Sequence, residues 1–377
     1  MTRMRVLHVS PSYARADGGP AEVLRGLIPS LNRLENLDVH VIATDKGAGP
    51  TDKDFSSLPY VTVVKQRVLP RWTFSPALLR PLFSEIRRAD LVHIHSVHTF
   101  PTSAAMIIAR LTRTPFVLQP HGALDTYHLS QGEWIKKAYL RIVDGFGLGG
   151  ARRAVYSSTM EAEEGQLTLR RLTPALIPLG VDPTLFDVPR KETGDLILFL
   201  ARVAKKKRLD LVLRAMAIPP LSQTGARLIV AGAIGSDLPY IPKQLVEKLG
   251  LESRVEFSGQ VDRSARRHLL GEASVFVLAS DDESFGVAVA EAMAAGCAVV
   301  ASDHVGLAAD AADSGALQLS SQDPVDLSKK IADLIESSAA RALIGTAGRK
   351  FARDNFDWDG VAQKLESSYV DVLREPR

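Results

Sequence analysis

The sequence predicts two successive β/α domains, each a doubly wound parallel sheet. Three observations lead there. The chain has 377 residues, more than one hydrophobic core ordinarily organises. Short apolar runs rich in Val, Ile and Leu alternate with amphipathic stretches of helical period, the pattern that builds parallel sheets. A turn-rich stretch from Gly180-Val181-Asp182-Pro183 to about Gly194 separates one such series from the next.

The elements follow in order. Residues 5–10, RVLHVS, form a first strand, and the loop after it ends Asp17-Gly18-Gly19-Pro20. Residues 21–34 then place Val23, Leu24, Leu27, Ile28 and Leu31 on one helical face, with Pro20 at the first helical position. Strand, Gly-Gly and helix together let an anion approach backbone N–H groups, although a plain tight turn has the same sequence. Residues 38–44 and 60–64 are further strands. Residues 70–88 mix Trp72, Phe74 and Phe83 with Arg71, Arg80, Arg87 and Arg88, as a groove rim, a membrane-surface segment or an ordinary amphipathic helix would. Residues 91–96, LVHIHS, carry His93 and His95 on one strand face, with His98 beyond. The run crosses from strand to loop without a nearby carboxylate or cysteine, so it is not read as a metal site. Residues 115–119 make a strand, and His121 in Pro120-His121-Gly122 follows at its carboxyl end, the edge where such sheets bind ligands. A second basic-aromatic helix is expected over 133–143. A strand at 154–157, a short acidic helix near Glu161 and a segment at 175–178 close the first domain.

The second series opens with LILFL at 196–200, apolar throughout as central parallel strands are. It runs into Arg202, Lys205, Lys206, Lys207 and Arg208: five cations at a strand's carboxyl end, suited to an anion. Strands at 227–231, 255–257 and 275–278 lead to the most informative stretch, SDDESFGVAVAEAMAAGCAVVAS, residues 280–302. This reads as an acidic loop, a helix from Val287 to Ala295, a glycine stop at Gly296 and a strand. Its N-terminal N–H groups attract phosphate, while Glu283 and Glu291 suit sugar hydroxyls. Helices begin at Pro324, Arg341 and Trp358.

Bulk properties bound the function. No apolar run approaches the ~18 residues of a membrane span, and the N-terminus enters a strand directly, so a cytoplasmic protein without a secretory signal is expected. The single Cys297 excludes an internal disulfide; with no basic residue near it in sequence, it reads as a buried small hydrophobe. The net charge is only +3, but residues 51–150 carry 12 Lys/Arg against 7 Asp/Glu. That surplus suits an anionic surface or substrate, and nothing suggests nucleic acid.

Taken together, these features resemble glycosyltransferase family 4. Glu283-Ser284-Phe285-Gly286 with Glu291 looks like the family's E-x7-E element, and Arg202 with Lys207 matches its G-R-x4-K spacing. Asp17-Gly18-Gly19-Pro20 looks like its glycine loop and Pro120-His121-Gly122 like its histidine segment; Phe356-Asp357-Trp358 and the last helix look like the segment that returns to the first domain. The resemblance implies a GT-B fold: residues 1–185 bind the acceptor, with about 357–377 packed back on them, and 194–355 bind a nucleotide sugar, across a cleft. It implies a retaining, metal-independent hexosyltransferase using a UDP- or GDP-linked donor and no cofactor, in cell-surface polysaccharide or glycolipid synthesis. The acceptor would be a glycan or lipid-linked, with the basic N-terminal half against the inner membrane face. Arg202 and Lys207 would bind the diphosphate, Glu291 the ribose and Glu283 the transferred sugar. Gly18 and Gly19 would approach the β-phosphate, and Phe285, Gly286 and Val287 would line the donor site. Gly259 and Val261 would lie near the base, and His121 near C6 of the sugar and the reacting centre. Ala201, Leu179 and Ala233 depart from the family pattern, so base and sugar stay open. A nucleotide-sugar epimerase on the same fold, or a non-catalytic nucleotide-sugar binder, is the alternative.

Overall fold

A computed structural model describes residues 3–66, 72–124, 145–191 and 193–375. Arg71 and the helix expected over 133–143 lie outside the described residues. The chain divides into two compact units, Met1–Gly180 with Trp358–Arg377, and Val181–Asp357.

The first unit is built on a seven-stranded parallel sheet in the order β3-β2-β1-β4-β5-β6-β7. Its strands are β1 (Met4–Ser10), β2 (Leu37–Thr44), β3 (Val61–Val64), β4 (Leu91–His95), β5 (Phe116–Gln119), β6 (Ala151–Tyr156) and β7 (Thr173–Leu176). The second unit has six parallel strands in the order β10-β9-β8-β11-β12-β13. These are β8 (Leu196–Leu200), β9 (Arg227–Ala231), β10 (Val255–Gly259), β11 (Val275–Leu278), β12 (Ala298–Ser302) and β13 (Gln318–Ser320). The central strands β4, β5, β8, β11 and β12 are buried along their whole length, as parallel strands covered on both faces must be. The short β13 escapes a reading of apolar periodicity because three residues carry no period.

Strand order reverses between β1 and β4 in one sheet and between β8 and β11 in the other. Loops leaving the carboxyl ends at such a reversal diverge and open a crevice, the usual ligand position in α/β sheets. The loop with Gly18 and Gly19 leaves β1, the basic turn leaves β8, and the acidic loop leaves β11.

The C-terminal helix, Trp358–Arg374, is part of the first unit and packs on the helix Gly19–Arg33. Glycine makes the seat. A Cβ added at Gly26 would lie 2.1 Å from Trp358 Cε2, and one at Gly180 2.2 Å from Trp358 Cδ2. The indole is thus sandwiched where no side chain intervenes. Arg33 pairs with Asp359, and Arg153 reaches Ser368 at 3.2 Å and Glu375 at 2.5 Å.

Candidate functional site

In the second unit, the chain leaves β8 through a 3-10 turn at Lys205–Lys207, and Arg208 takes a left-handed conformation, φ 50°, before the helix Leu209–Met216. The turn is tied to the acidic loop by a hydrogen bond from Asp281 N to Lys206 O at 2.8 Å. Its cations divide in task. Arg208 is consumed by the fold, held by Asp210 (3.0 Å) and Asp281 (2.7 Å), which raise its affinity for its proton. Arg202 is exposed and makes no ion pair with a described residue. Lys207 Nζ contacts Glu283 Oε2. Burial, with Lys206 and Arg202 alongside, pushes the Lys207 ammonium down to about 7, and Asp282 opposes that shift.

Glu283 is fixed through its backbone: its N–H donates to His304 O at 3.0 Å, and its carbonyl accepts from Gly306 N at 2.8 Å. Gly286 caps the helix Val287–Ala294 at φ 97°, and an added Cβ would come within 2.4 Å of Val305 Cγ1, so glycine is demanded on both counts. Gly286 at the cap position brings no side chain to the first N–H groups of this helix, the groups that attract an anion. Phe285 is buried against Phe356, ring centroids 5.2 Å apart, which anchors the loop from below. Glu291 is 7% exposed inside the helix and accepts from Arg266 at 2.6 Å. Arg266 was not singled out by sequence; its only signal is the basic helix Arg263–Glu272 just after Gly259 and Val261. It offsets the charge of Glu291, a carboxylate that alone would repel a diphosphate. Gly259 ends β10 at φ 67° and Val261 is partly buried beyond it.

In the first unit, Gly18 sits at φ 87° as the cap of the helix Gly19–Arg33, and nothing lies within 4 Å of a Cβ built at Gly18 or Gly19. The space above this helix start is open to a ligand. His121 leaves β5 in a left-handed conformation, φ 55°, followed by Gly122 at φ 72°. Glu161 braces that turn. One of its oxygens accepts from Gly122 N at 2.7 Å, the other from Ser157 N at 2.7 Å and Ser157 Oγ at 2.6 Å. A buried carboxylate with three such donors is a deliberate clamp; sequence found its helix but not its task. Burial pushes His121 down to about 4, so its ring is neutral at ordinary pH. The structure therefore gathers Lys207 with Glu283 and sets Phe285, Gly286, Val287 and Glu291 on the same loop and helix. Gly18, Gly19 and His121 belong to the first unit.

Comparison with known proteins adds to this geometry. The sequence model "Glycosyltransferase Family 4" matches residues 17–185, and "Glycosyl transferases group 1" matches residues 182–351. The chain belongs to the family 4 glycosyltransferases. It is 25% identical to the GDP-mannose:cellobiosyl-diphosphopolyprenol alpha-mannosyltransferase of Komagataeibacter xylinus, covering 98% of this chain and 94% of that one. It is also 25% identical to the same-named protein of Xanthomonas oryzae pv. oryzae, over 99% and 98%. Among solved structures, Anabaena HepE in complex with UDP and glucose superposes with a TM-score of 0.76 at 20% identity, covering 98% of this chain and all of that one. The fold is GT-B, two Rossmann-like domains.

Two further features of this glycosyltransferase go beyond the sequence reading. Cys297 is buried, but a basic residue does reach it: Arg190 donates to its Sγ at 3.3 Å while the thiol donates to Leu270 O at 3.1 Å. The histidines that cluster are His8, His93 and His95, their nearest ring nitrogens within 4.8 Å of one another, and His98 is not among them. No helix among the described residues is long and apolar enough to cross a membrane.

Proposed function

We propose that this chain is a retaining, metal-independent hexosyltransferase that moves mannose from GDP-mannose to a lipid-linked glycan, in cell-surface polysaccharide synthesis. The observation carrying this reading is the basic turn after β8 set against the acidic loop and glycine-capped helix after β11. Breaking a glycosyl–phosphate bond leaves negative charge on a nucleoside diphosphate, and fixed cations and helix N–H groups stabilise it without reorganisation. Arg202 and Lys207 take the diphosphate, doing the charge neutralisation for which other enzymes use a metal. Glu283 accepts hydroxyls of the transferred sugar and Glu291 those of the ribose. Gly259 and Val261 lie by the base, Gly18 and Gly19 offer N–H groups to phosphate, and His121 meets a substrate hydroxyl. The bond from C1 to the β-phosphate oxygen breaks, the acceptor oxygen bonds C1 on the same face, and its proton passes to the leaving phosphate. No protein nucleophile takes part.

The choice of GDP-mannose and of a lipid-linked acceptor rests on the two relatives that align over nearly the full chain. A peripheral membrane position at the cytoplasmic face is supported by the helix Leu79–Arg88, where Leu79 and Phe83 are 43% and 47% exposed beside Arg80, Arg87 and Arg88. Thermal-shift screening against GDP-mannose, UDP-glucose, UDP-galactose and UDP-N-acetylglucosamine should single out the first, since a ligand of the native state raises its melting point. Acceptor-dependent GDP release separates a transferase from an epimerase or a binder. Arg202→Ala should lower kcat/KM by about 10²–10³; near-normal turnover in that variant sinks the assignment.

A further inference from the structure

The sheet of the first unit holds a group of polar side chains that the transfer reaction leaves without a task. His8, His93, His95 and Tyr369 are fully buried and Gln119 is 4% exposed. They come from β1, β4, β5 and the C-terminal helix, and they meet at the point where strand order reverses. Their rings stack: His93 and His95 have centroids 4.3 Å apart and His95 and His121 5.2 Å apart.

Hydrogen bonds link them into one unbranched chain. His121 Nε2 lies 2.9 Å from His95 Nδ1, and His95 Nε2 2.8 Å from His8 Nδ1. His8 Nε2 lies 3.3 Å from the Tyr369 hydroxyl, which is 2.6 Å from His93 Nδ1. His93 Nε2 ends the chain 3.1 Å from Gln119 Oε1.

The order of donors follows from that end. A carbonyl oxygen only accepts, so His93 Nε2 carries hydrogen and its Nδ1 is bare. Tyr369 then donates to His93 and accepts from His8 Nε2. His8 Nδ1 is bare, so His95 donates from Nε2, and His95 Nδ1 accepts from His121 Nε2. Every bond has one donor and one acceptor, all pointing the same way. Both nitrogens of His8, His93 and His95 are used, so a metal ion there would have to displace bonds already made. Burial keeps the rings neutral, pushing His8 down to about 3 and His93 and His95 well below their usual range. With no charge to move, the chain retains one freedom, its direction.

We infer that His8, His93, His95, Gln119 and Tyr369 are positioning residues that fix the tautomer of His121, keeping hydrogen on Nε2 and Nδ1 as a bare acceptor for a substrate hydroxyl. This rests on the reading that His121 contacts substrate. Reversing the chain would put hydrogen on Nδ1 and turn an acceptor into a donor, with no change in backbone or charge.

The test is direct. The full-length protein is labelled with ¹⁵N-histidine, and long-range ¹H–¹⁵N spectra report which ring nitrogens carry hydrogen. In the wild type, His121 should show a protonated Nε2 and a bare Nδ1. Tyr369→Phe removes the acceptor of His8 Nε2–H; a buried orphan donor is worse tolerated than an orphan acceptor, so His8, His95 and His121 should all switch tautomer. Gln119→Met, at the far end, should produce the same switch through His93 and Tyr369. In both variants kcat should fall at least about tenfold, with the KM for donor within about twofold. An unchanged His121 tautomer in a folded variant overturns the inference, as does a raised KM at constant kcat, or stoichiometric zinc in the purified wild type. Should neither variant fold, the wild-type spectrum decides, because hydrogen on His121 Nδ1 contradicts the chain as drawn. The spectra need no substrate, so the expected tautomers in a protein that transfers no sugar would refute the proposed function alone.

Discussion

Lys207 gives the sharpest quantitative expectation. Burial and two neighbouring cations lower it from 10.5 to about 7 in the unliganded protein. A dianionic diphosphate beside it favours the charged ammonium, so binding requires a proton that the free site holds weakly. Take GDP affinity measured by calorimetry between about pH 7 and pH 9. The protonated fraction of Lys207 falls from about one half to about one hundredth across that span, so Kd should rise about fiftyfold, near tenfold per pH unit at the upper end. The sign for folding is opposite. Between about 7 and 10.5 the unfolded chain keeps the proton that the folded chain has released, so the contribution of Lys207 to stability rises with pH as binding weakens. Loss of affinity with an unimpaired melting point therefore marks the site and not the fold. Lys207→Arg, with a guanidinium that stays charged, should flatten the profile. A wild-type affinity independent of pH from 7 to 9 would refute the reasoning, as would a Lys207→Arg profile with the same slope.

Two stability predictions follow from glycine geometry. Gly286→Ala forces a left-handed alanine and an overlap with Val305, at 2.4 Å before relaxation; roughly 1–2 kcal/mol of backbone strain and 1–3 of overpacking should lower stability by about 2–5 kcal/mol, and denaturant unfolding that matches wild type would dismiss it. Trp358→Ala empties the seat between Gly26 and Gly180, and about 3–5 kcal/mol should go. That loss is measured as a lower urea midpoint for the first unit's transition, and an unmoved midpoint would show the indole to be dispensable.

Much of the framework was legible because it obeys local rules. A fully buried parallel strand such as β8 or β12 announces itself as an apolar run, and Gly286 followed by helix formers marks a turn into a helix. Candidate residues also stood out where spacing places them on one loop and the helix it opens, as with Glu283 and Glu291. What sequence did not disclose is pairing across distance. Arg266 meets Glu291 across 25 positions, Glu161 meets Gly122 across 39, and Arg190 meets Cys297 across 107. Nothing in their immediate neighbours encodes those partners; the strand order does, by setting side by side segments that the chain separates. The histidine chain is the extreme case, since Tyr369 and His8 lie 361 positions apart.

The return of the last helix to the first unit also governs how the protein is made. A ribosome releases the seven strands of the first sheet early, yet Trp358 and Tyr369, which fill its glycine seat and close its histidine chain, emerge only after the whole of the second unit has been translated. Domains usually mature from the N-terminus as they emerge. Here the first unit is completed only by residues that follow the second, and a nascent chain stalled short of Trp358 holds an unfinished first unit however long it waits.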